Sequence, residues 1–204
     1  MDKFVLALSI TAALLHIAAF VIYNRQMSLG TSTPISATWT LWAVLTIMNS
    51  ASYLAMSHDL IKSLLPLASS AACLITFVSA LTKGKFEKAD PIDRLILRLG
   101  LLSGLIWWGF DTATFANLIL QVCIALSFIP TFRGTWSNPK TEKPLPWFIW
   151  GSAYIFSICV VCLRWRGQPQ DFVYPITGLI MHVTVGMLSL RRAPNALNSL
   201  SSAA

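Results

Sequence analysis

The chain has 204 residues, of which 55% are apolar and only 11% charged, with a formal net charge of +7. Soluble domains carry about 25% charged residues, so a water-soluble domain is excluded and a membrane protein is expected. Lysine and arginine sit in loops and at segment ends without a contiguous basic face, which argues against a nucleic-acid partner.

Seven apolar segments approach the length of about 20 residues that a helix needs to cross a bilayer. They are roughly 4–23, 36–56, 62–82, 92–109, 113–132, 146–165 and 172–190. Their long unalternating runs suit helices rather than barrel strands. The expected fold class is therefore all-α integral membrane, with seven transmembrane helices.

The first segment begins after Lys3 and could be mistaken for a signal peptide. No small-residue cleavage site precedes Tyr23 and Asn24, so it reads as a retained helix. Its inward face would carry Ser9, Ala13, His16 and Phe20. The second segment holds Trp42, Thr46, Asn49 and Tyr53 at spacings of four, three and four, which stacks them on one helical face. Polar groups facing lipid are costly, so the stripe should face the protein interior. The fourth segment follows a charged loop, Lys83 to Arg94. It carries Arg98 about one turn inside, able to snorkel, and ends at Trp107 and Trp108, which suit an interface. The fifth segment carries Asn117 and Gln121 as an i, i+4 amide pair. The sixth repeats the aromatic and polar face of the second with Trp150, Tyr154 and Ser157. The seventh places His182 about ten residues in, near mid-bilayer by the rise of about 1.5 Å per residue. His16 and His182 lack a carboxylate nearby in sequence and are expected to act as neutral hydrogen-bonding groups.

One register occurs twice. Arg25, Trp39 and Trp42 match Arg133, Trp147 and Trp150 at an offset of 108, and Pro66 matches Pro175 at 109. The segments therefore divide into a first three-helix repeat (1–82), a charged linker with a connecting fourth helix (83–112), a second three-helix repeat (113–191) and a disordered tail (192–204). This 3+1+3 arrangement makes two three-helix bundles, with the odd fourth helix letting both enter from one side. Ten basic residues flank one side and four (Lys3, Lys62, Arg164 and Arg166) the other. The positive-inside bias then puts the N-terminus outside and the C-terminus in the cytoplasm, in a multi-pass protein of the plasma (inner) membrane.

The run Phe128-Ile129-Pro130-Thr131-Phe132-Arg133 followed by Pro146-Trp147-Phe148-Ile149-Trp150 resembles the PQ-loop and SWEET families of membrane transporters. The 3+1+3 layout with an outside N-terminus is similar to SWEETs, which are sugar uniporters; PQ-loop relatives export amino acids. The Pro-Gln pair reads Pro130-Thr131 here. The Pro-Asn pairs of SWEETs read Pro66-Leu67 and Pro175-Ile176. The resemblance implies gating positions at Pro34, Pro130 and Pro146, while Pro66 and Pro175, within the outer parts of the third and seventh segments, are expected to kink those helices and serve as hinges.

No metal cluster, nucleophile–base set or phosphate-cradling loop is present in the sequence, so no enzyme activity, metal or cofactor is expected. The acids Asp59, Asp90, Asp93, Asp111, Glu142 and Asp171 fall in loops. The four cysteines, Cys73, Cys123, Cys159 and Cys162, lie in apolar segments and read as small core residues. Repeated apolar units typically hold substrate where the repeats meet. The expected function is facilitative transport of a small neutral polar solute, such as a sugar, amino acid or vitamin-like metabolite, by alternating access between the two bundles. The expected binding residues are Trp42, Asn49, Tyr53, Asn117, Gln121, Trp150, Tyr154, Ser157 and His182. The alternative is a non-transporting receptor or assembly subunit on a similar scaffold, of the kind KDEL receptors resemble. The sequence leaves open whether copies assemble into a homo-oligomer.

Overall fold

The computed structural model describes residues 2–31, 36–83, 91–110 and 112–191. Pro34, most of the charged loop after the third segment and the expected disordered tail lie outside the described residues. Helices account for almost everything described: α1 (Asp2–Ser28), α2 (Ser36–Ser57), α3 (Leu60–Lys83), α4 (Pro91–Phe110), α5 (Ala113–Ser127), α6 (Ile129–Ser137), α7 (Pro144–Leu163) and α8 (Val173–Ser189). Short 3₁₀ turns at Pro139–Thr141 and Pro169–Phe172 precede α7 and α8.

Among the described residues, five stretches are long and apolar enough to cross a membrane: Asp2–Ser28, Leu60–Ser79, Ala113–Ser137, Pro144–Leu163 and Pro169–Ser189. The third of these joins α5 and α6. Two segments expected to span are not among the five. In α2, Asn49 and several serines lower the apolarity, and α4 carries Asp93, Arg94 and Arg98.

Polarity is distributed inside out. Ser9, His16, Asn49, Ser52, Lys62, Ser63, Thr76, Asn117, Ser127 and Asp171 are all buried, whereas Phe4, Leu14, Val21, Ile75, Leu105, Trp108 and Val122 are exposed. Hydrocarbon cannot hydrogen-bond, so polar groups turn toward one another and apolar side chains face the solvent. Exposure of Cys159 and Cys162 on α7 follows the same logic and corrects their expected place in the core. They line an apolar surface groove with Phe4, Leu8, Ile155, Phe156 and Leu163.

The helices close a ring. In it α3 lies between α1 and α2, while α8 touches α7, α5 and α6. The ring is completed where α1 packs on α7 and α2 on α5, and α4 lies outside it against α5 and α2. Side-chain bonds tie neighbours together: Asn24 Nδ2 donates to Thr76 Oγ1 at 2.8 Å, and Ser9 donates to the Ile61 carbonyl. Between α2 and α3 the chain reverses in two residues. His58 takes φ 47, in the left-handed region, and its amide donates to the Leu54 carbonyl at 3.0 Å. The Asp59 carboxylate then caps α3 by accepting from the amides of Ile61 and Lys62.

Prolines act in three different ways. Pro66 lies inside α3 and is buried. Pro130 stands where the expected fifth helix breaks at Phe128 into α5 and α6, since its ring cannot continue the hydrogen-bond ladder. Pro146 and Pro175 fall in the first turns of α7 and α8, where an amide has no helical partner to lose. The kink expected at Pro175 is therefore not needed.

α4 reaches α2 through glycines. A Cβ added at Gly100 would lie 2.5 Å from Leu45 Cδ2, and one at Gly104 2.5 Å from Met48 Cε. Leu45 is completely buried, so it cannot retreat, whereas the unbranched end of Met48 can. We expect Gly100→Ala to destabilise the fold by about 1–3 kcal/mol through overpacking. Gly104→Ala should be neutral or stabilising by up to about 1 kcal/mol through helix propensity. Thermal melts of the two variants in detergent check the contrast.

Candidate functional site

Inside the ring, between the ends of the helices, lies a cavity of about 50 Å³. Its walls are His16, Phe20, Trp39, Trp42, Thr46, Ser69, Cys73, Gln121, Ile124, Phe128, Trp147, Trp150, Tyr154, Tyr174, Gly178 and His182. Fourteen of these sixteen form seven pairs at the repeat offset of 108 or 109: His16 with Ile124, Phe20 with Phe128, Trp39 with Trp147, Trp42 with Trp150, Thr46 with Tyr154, Ser69 with Gly178 and Cys73 with His182. The cavity sits where the two copies of the register meet.

The walls are mostly aromatic and largely edge-on to one another. Trp150 meets Phe20 at 4.9 Å and 72°, and Trp147 at 5.1 Å and 68° between centroids and planes. His182 touches Phe128, Trp147, Trp150 and Tyr154, and stands 6.4 Å from His16. Gly178 makes room for this packing, since a Cβ there would lie 2.3 Å from the Tyr154 ring. Its carbonyl accepts from His182 Nδ1 at 2.7 Å. A carbonyl can only accept, so Nδ1 carries the proton and Nε2 is left as an acceptor.

Among the described residues, four buried polar atoms on the cavity wall have no hydrogen-bond partner: His16 Nδ1, Gln121 Oε1, Trp150 Nε1 and Tyr174 OH. Buried polar atoms are rarely left unpaired, and each costs about 1–3 kcal/mol. The register mate of Trp150 differs in this respect. Trp42 Nε1 donates to Ser127 Oγ at 2.7 Å.

Of the expected binding residues, Trp42, Gln121, Trp150, Tyr154 and His182 line the cavity. Asn49 and Asn117 stand outside its wall in an amide cluster that joins α2 to α5. There Asn117 Nδ2 donates to Asn49 Oδ1 at 3.1 Å and to Ser52 Oγ at 2.9 Å, while Gln121 Nε2 also donates to Asn49 Oδ1. Tyr53 donates to the Asp171 carbonyl at 2.9 Å. That carbonyl lies four residues before Pro175, which has no amide hydrogen to offer it. Ser157 is buried on α7 without lining the cavity. Ser69, Cys73 and Gly178 were absent from the expectation. Carrying the offset through α3 and α8 would have found them.

Buried charged groups lie toward both ends of the helices. Toward the end where α2 turns into α3, Lys62 Nζ and Asp171 Oδ2 lie 2.6 Å apart with both side chains fully buried. These two positions are also 109 residues apart, so the pair is another meeting of register mates. Lys62 is thus not the exposed flanking charge of the sequence reading, and the loop position of Asp171 concealed its burial. Beside them Arg164 Nε donates to Asp59 Oδ2 at 2.6 Å. Burial alone would raise the Asp59 pKa. The Arg164 hydrogen bond, the Lys62 and Ile61 amides and the Arg164 charge outweigh it and hold the carboxyl below its ordinary range. At the opposite end the buried Glu142 accepts from Tyr23 OH at 3.2 Å and Trp147 Nε1 at 3.1 Å, so one carboxylate links α1 to α7. Tyr23 belongs to the same buried cluster as Trp39, Trp42, Phe128, Trp147 and Trp150 of the cavity wall.

Comparison with protein-family models, with curated proteins and with solved structures finds no match to this chain.

Two outcomes follow from these pairs. Lys62→Met leaves the Asp171 carboxylate buried alone and should cost about 3–5 kcal/mol, whereas Lys62→Met with Asp171→Leu should recover most of that loss. Denaturant titration in detergent measures both. The lowered Asp59 pKa means that the unfolded chain takes up this proton first. The Asp59 contribution to stability is then complete above about pH 4 and lost as pH falls below it. Melting temperature should drop less steeply below that pH in Asp59→Asn than in the parent protein.

Proposed function

We propose that the protein is a facilitative membrane transporter for a small, uncharged polar solute, held in the cavity between two three-helix units of a seven-span, 3+1+3 chain. In this reading the units are α1–α3 and α5–α8, with α4 as the connecting helix, the N-terminus outside and the C-terminus in the cytoplasm. The observation that carries it is the set of seven register pairs around one cavity that retains unpaired polar atoms. Substrate sites of repeat-built transporters lie where the repeats meet. The resemblance to SWEET and PQ-loop transporters points the same way.

The buried charged groups supply the gates. Lys62–Asp171 and Arg164–Asp59 join α3 and the α2–α3 corner to the segments flanking α8 at one end. Glu142 joins α1 to α7 at the other. Ion pairs and hydrogen bonds of this kind have two discrete states, made or broken, which is what a gate requires. A space of about 50 Å³ holds only a few waters, so a solute is seated in a more open conformation than this one. No lysine, arginine, aspartate or glutamate lines the cavity, which favours an uncharged solute and downhill movement.

Cys73 on the cavity wall is a built-in reporter of access. In a Cys159→Ser, Cys162→Ser background, the paired Lys62→Met, Asp171→Leu change should raise labelling of Cys73 by a membrane-impermeant thiol reagent several-fold. Labelling should come from the Asp171 end only. Unchanged labelling would remove the gate, and solute binding without movement into sealed vesicles would make the protein a receptor.

A further inference from the structure

From the cavity's chemistry we infer the class of solute: an uncharged, planar heteroaromatic ring of free-nucleobase size, bearing ring N–H donors and a carbonyl. The inference rests on reading this cavity as the solute site. It is reached by matching what the walls still have to offer against what each class of solute would need.

The walls offer little polarity, and most of that is already used. Thr46 Oγ1 donates to the Trp42 carbonyl at 2.7 Å, and the Asn49–Asn117 amides satisfy one another. What remains is one fixed donor, Trp150 Nε1–H, two acceptors, Gln121 Oε1 and His182 Nε2, the Tyr174 hydroxyl, which can do either, and the unpaired His16 Nδ1. The remainder of the wall is predominantly aromatic.

A hexose presents about five hydroxyls, each with a donor and two lone pairs. Five polar atoms cannot satisfy them, and each hydroxyl buried unpaired weakens binding by about five- to a hundred-fold. An amino acid brings a carboxylate and an ammonium, and no side chain of opposite full charge stands at the wall to pair either. A heteroaromatic ring differs on both counts. Its two apolar faces suit the surrounding rings, which gain from stacked or edge-on contact. Its few polar atoms lie in one plane at its edge. Trp150 Nε1–H can donate to a ring carbonyl, while Gln121 Oε1 and His182 Nε2 accept from ring N–H groups. The present volume means that the aromatic side chains must part to seat such a ring, as a closing transporter would allow.

The test is a ligand series on the purified full chain in detergent, read by thermal shift and tryptophan fluorescence. Uracil and hypoxanthine should raise the melting temperature, and glucose and alanine should not. Methylating both ring nitrogens removes the donors, so 1,3-dimethyluracil should bind at least tenfold more weakly than uracil. Trp150→Phe keeps a ring and removes only the N–H, and should weaken uracil about tenfold. The dimethyluracil comparison needs no variant and so stands even if Trp150→Phe does not fold. If no base binds, or if dimethyluracil binds as tightly as uracil, the inference fails. Binding and transport of glucose or alanine in place of the bases would overturn the solute class and leave the transporter reading intact. Bases that bind but are not carried into proteoliposomes would overturn the transporter reading and leave the solute class standing.

Discussion

Hydrocarbon offers no hydrogen bonds, and the placement of almost every polar side chain in this protein follows from that. Each serine, amide, imidazole or charge within the helices must find its partner inside the ring or bond back to its own backbone. The ring has one interior, so the polar groups converge on it. Because the register occurs twice, equivalent positions converge from opposite sides. The Lys62–Asp171 pair is the clearest product of this rule. Two positions 109 residues apart meet and carry opposite charges. Two identical charges meeting there would repel, so this contact could not remain symmetrical.

Divergence of equivalent positions explains the rest of the interior. Trp42 and Trp150 keep the same ring, but one N–H is satisfied by Ser127 and the other is left open. Ala13 and Gln121 are register mates, and only the second brings an amide to the cavity. Cys73 and His182 face the same space with a thiol on one side and an imidazole on the other. The scaffold repeats while the chemistry at its centre is one-sided.

Much of the architecture was legible in the sequence. Five of the seven apolar segments and the inward faces of α2 and α7 follow from hydropathy and helical spacing, whereas the break at Phe128 fell inside one expected segment. Five of the nine expected binding residues line the cavity. Asn49, Asn117, Tyr53 and Ser157 do not, because spacing along one helix reports which face turns inward but not what waits there. The neighbour of Asn49 is another amide on α5, and that of Tyr53 is a carbonyl released by a proline in the α8 segment.

The sequence by itself determined that the chain is helical, apolar and internally repeated, because these properties depend on composition and periodicity along single segments. Only the tertiary structure decided which polar groups satisfy one another and which stay open. It buried Lys62, Asp171 and Glu142, whose loop-like surroundings gave no sign of it. It also brought Ser69, Cys73 and Gly178 to the same wall as the tryptophans. The physical reason is that burial and partnership arise between segments, and a pairing across more than a hundred residues leaves no local trace.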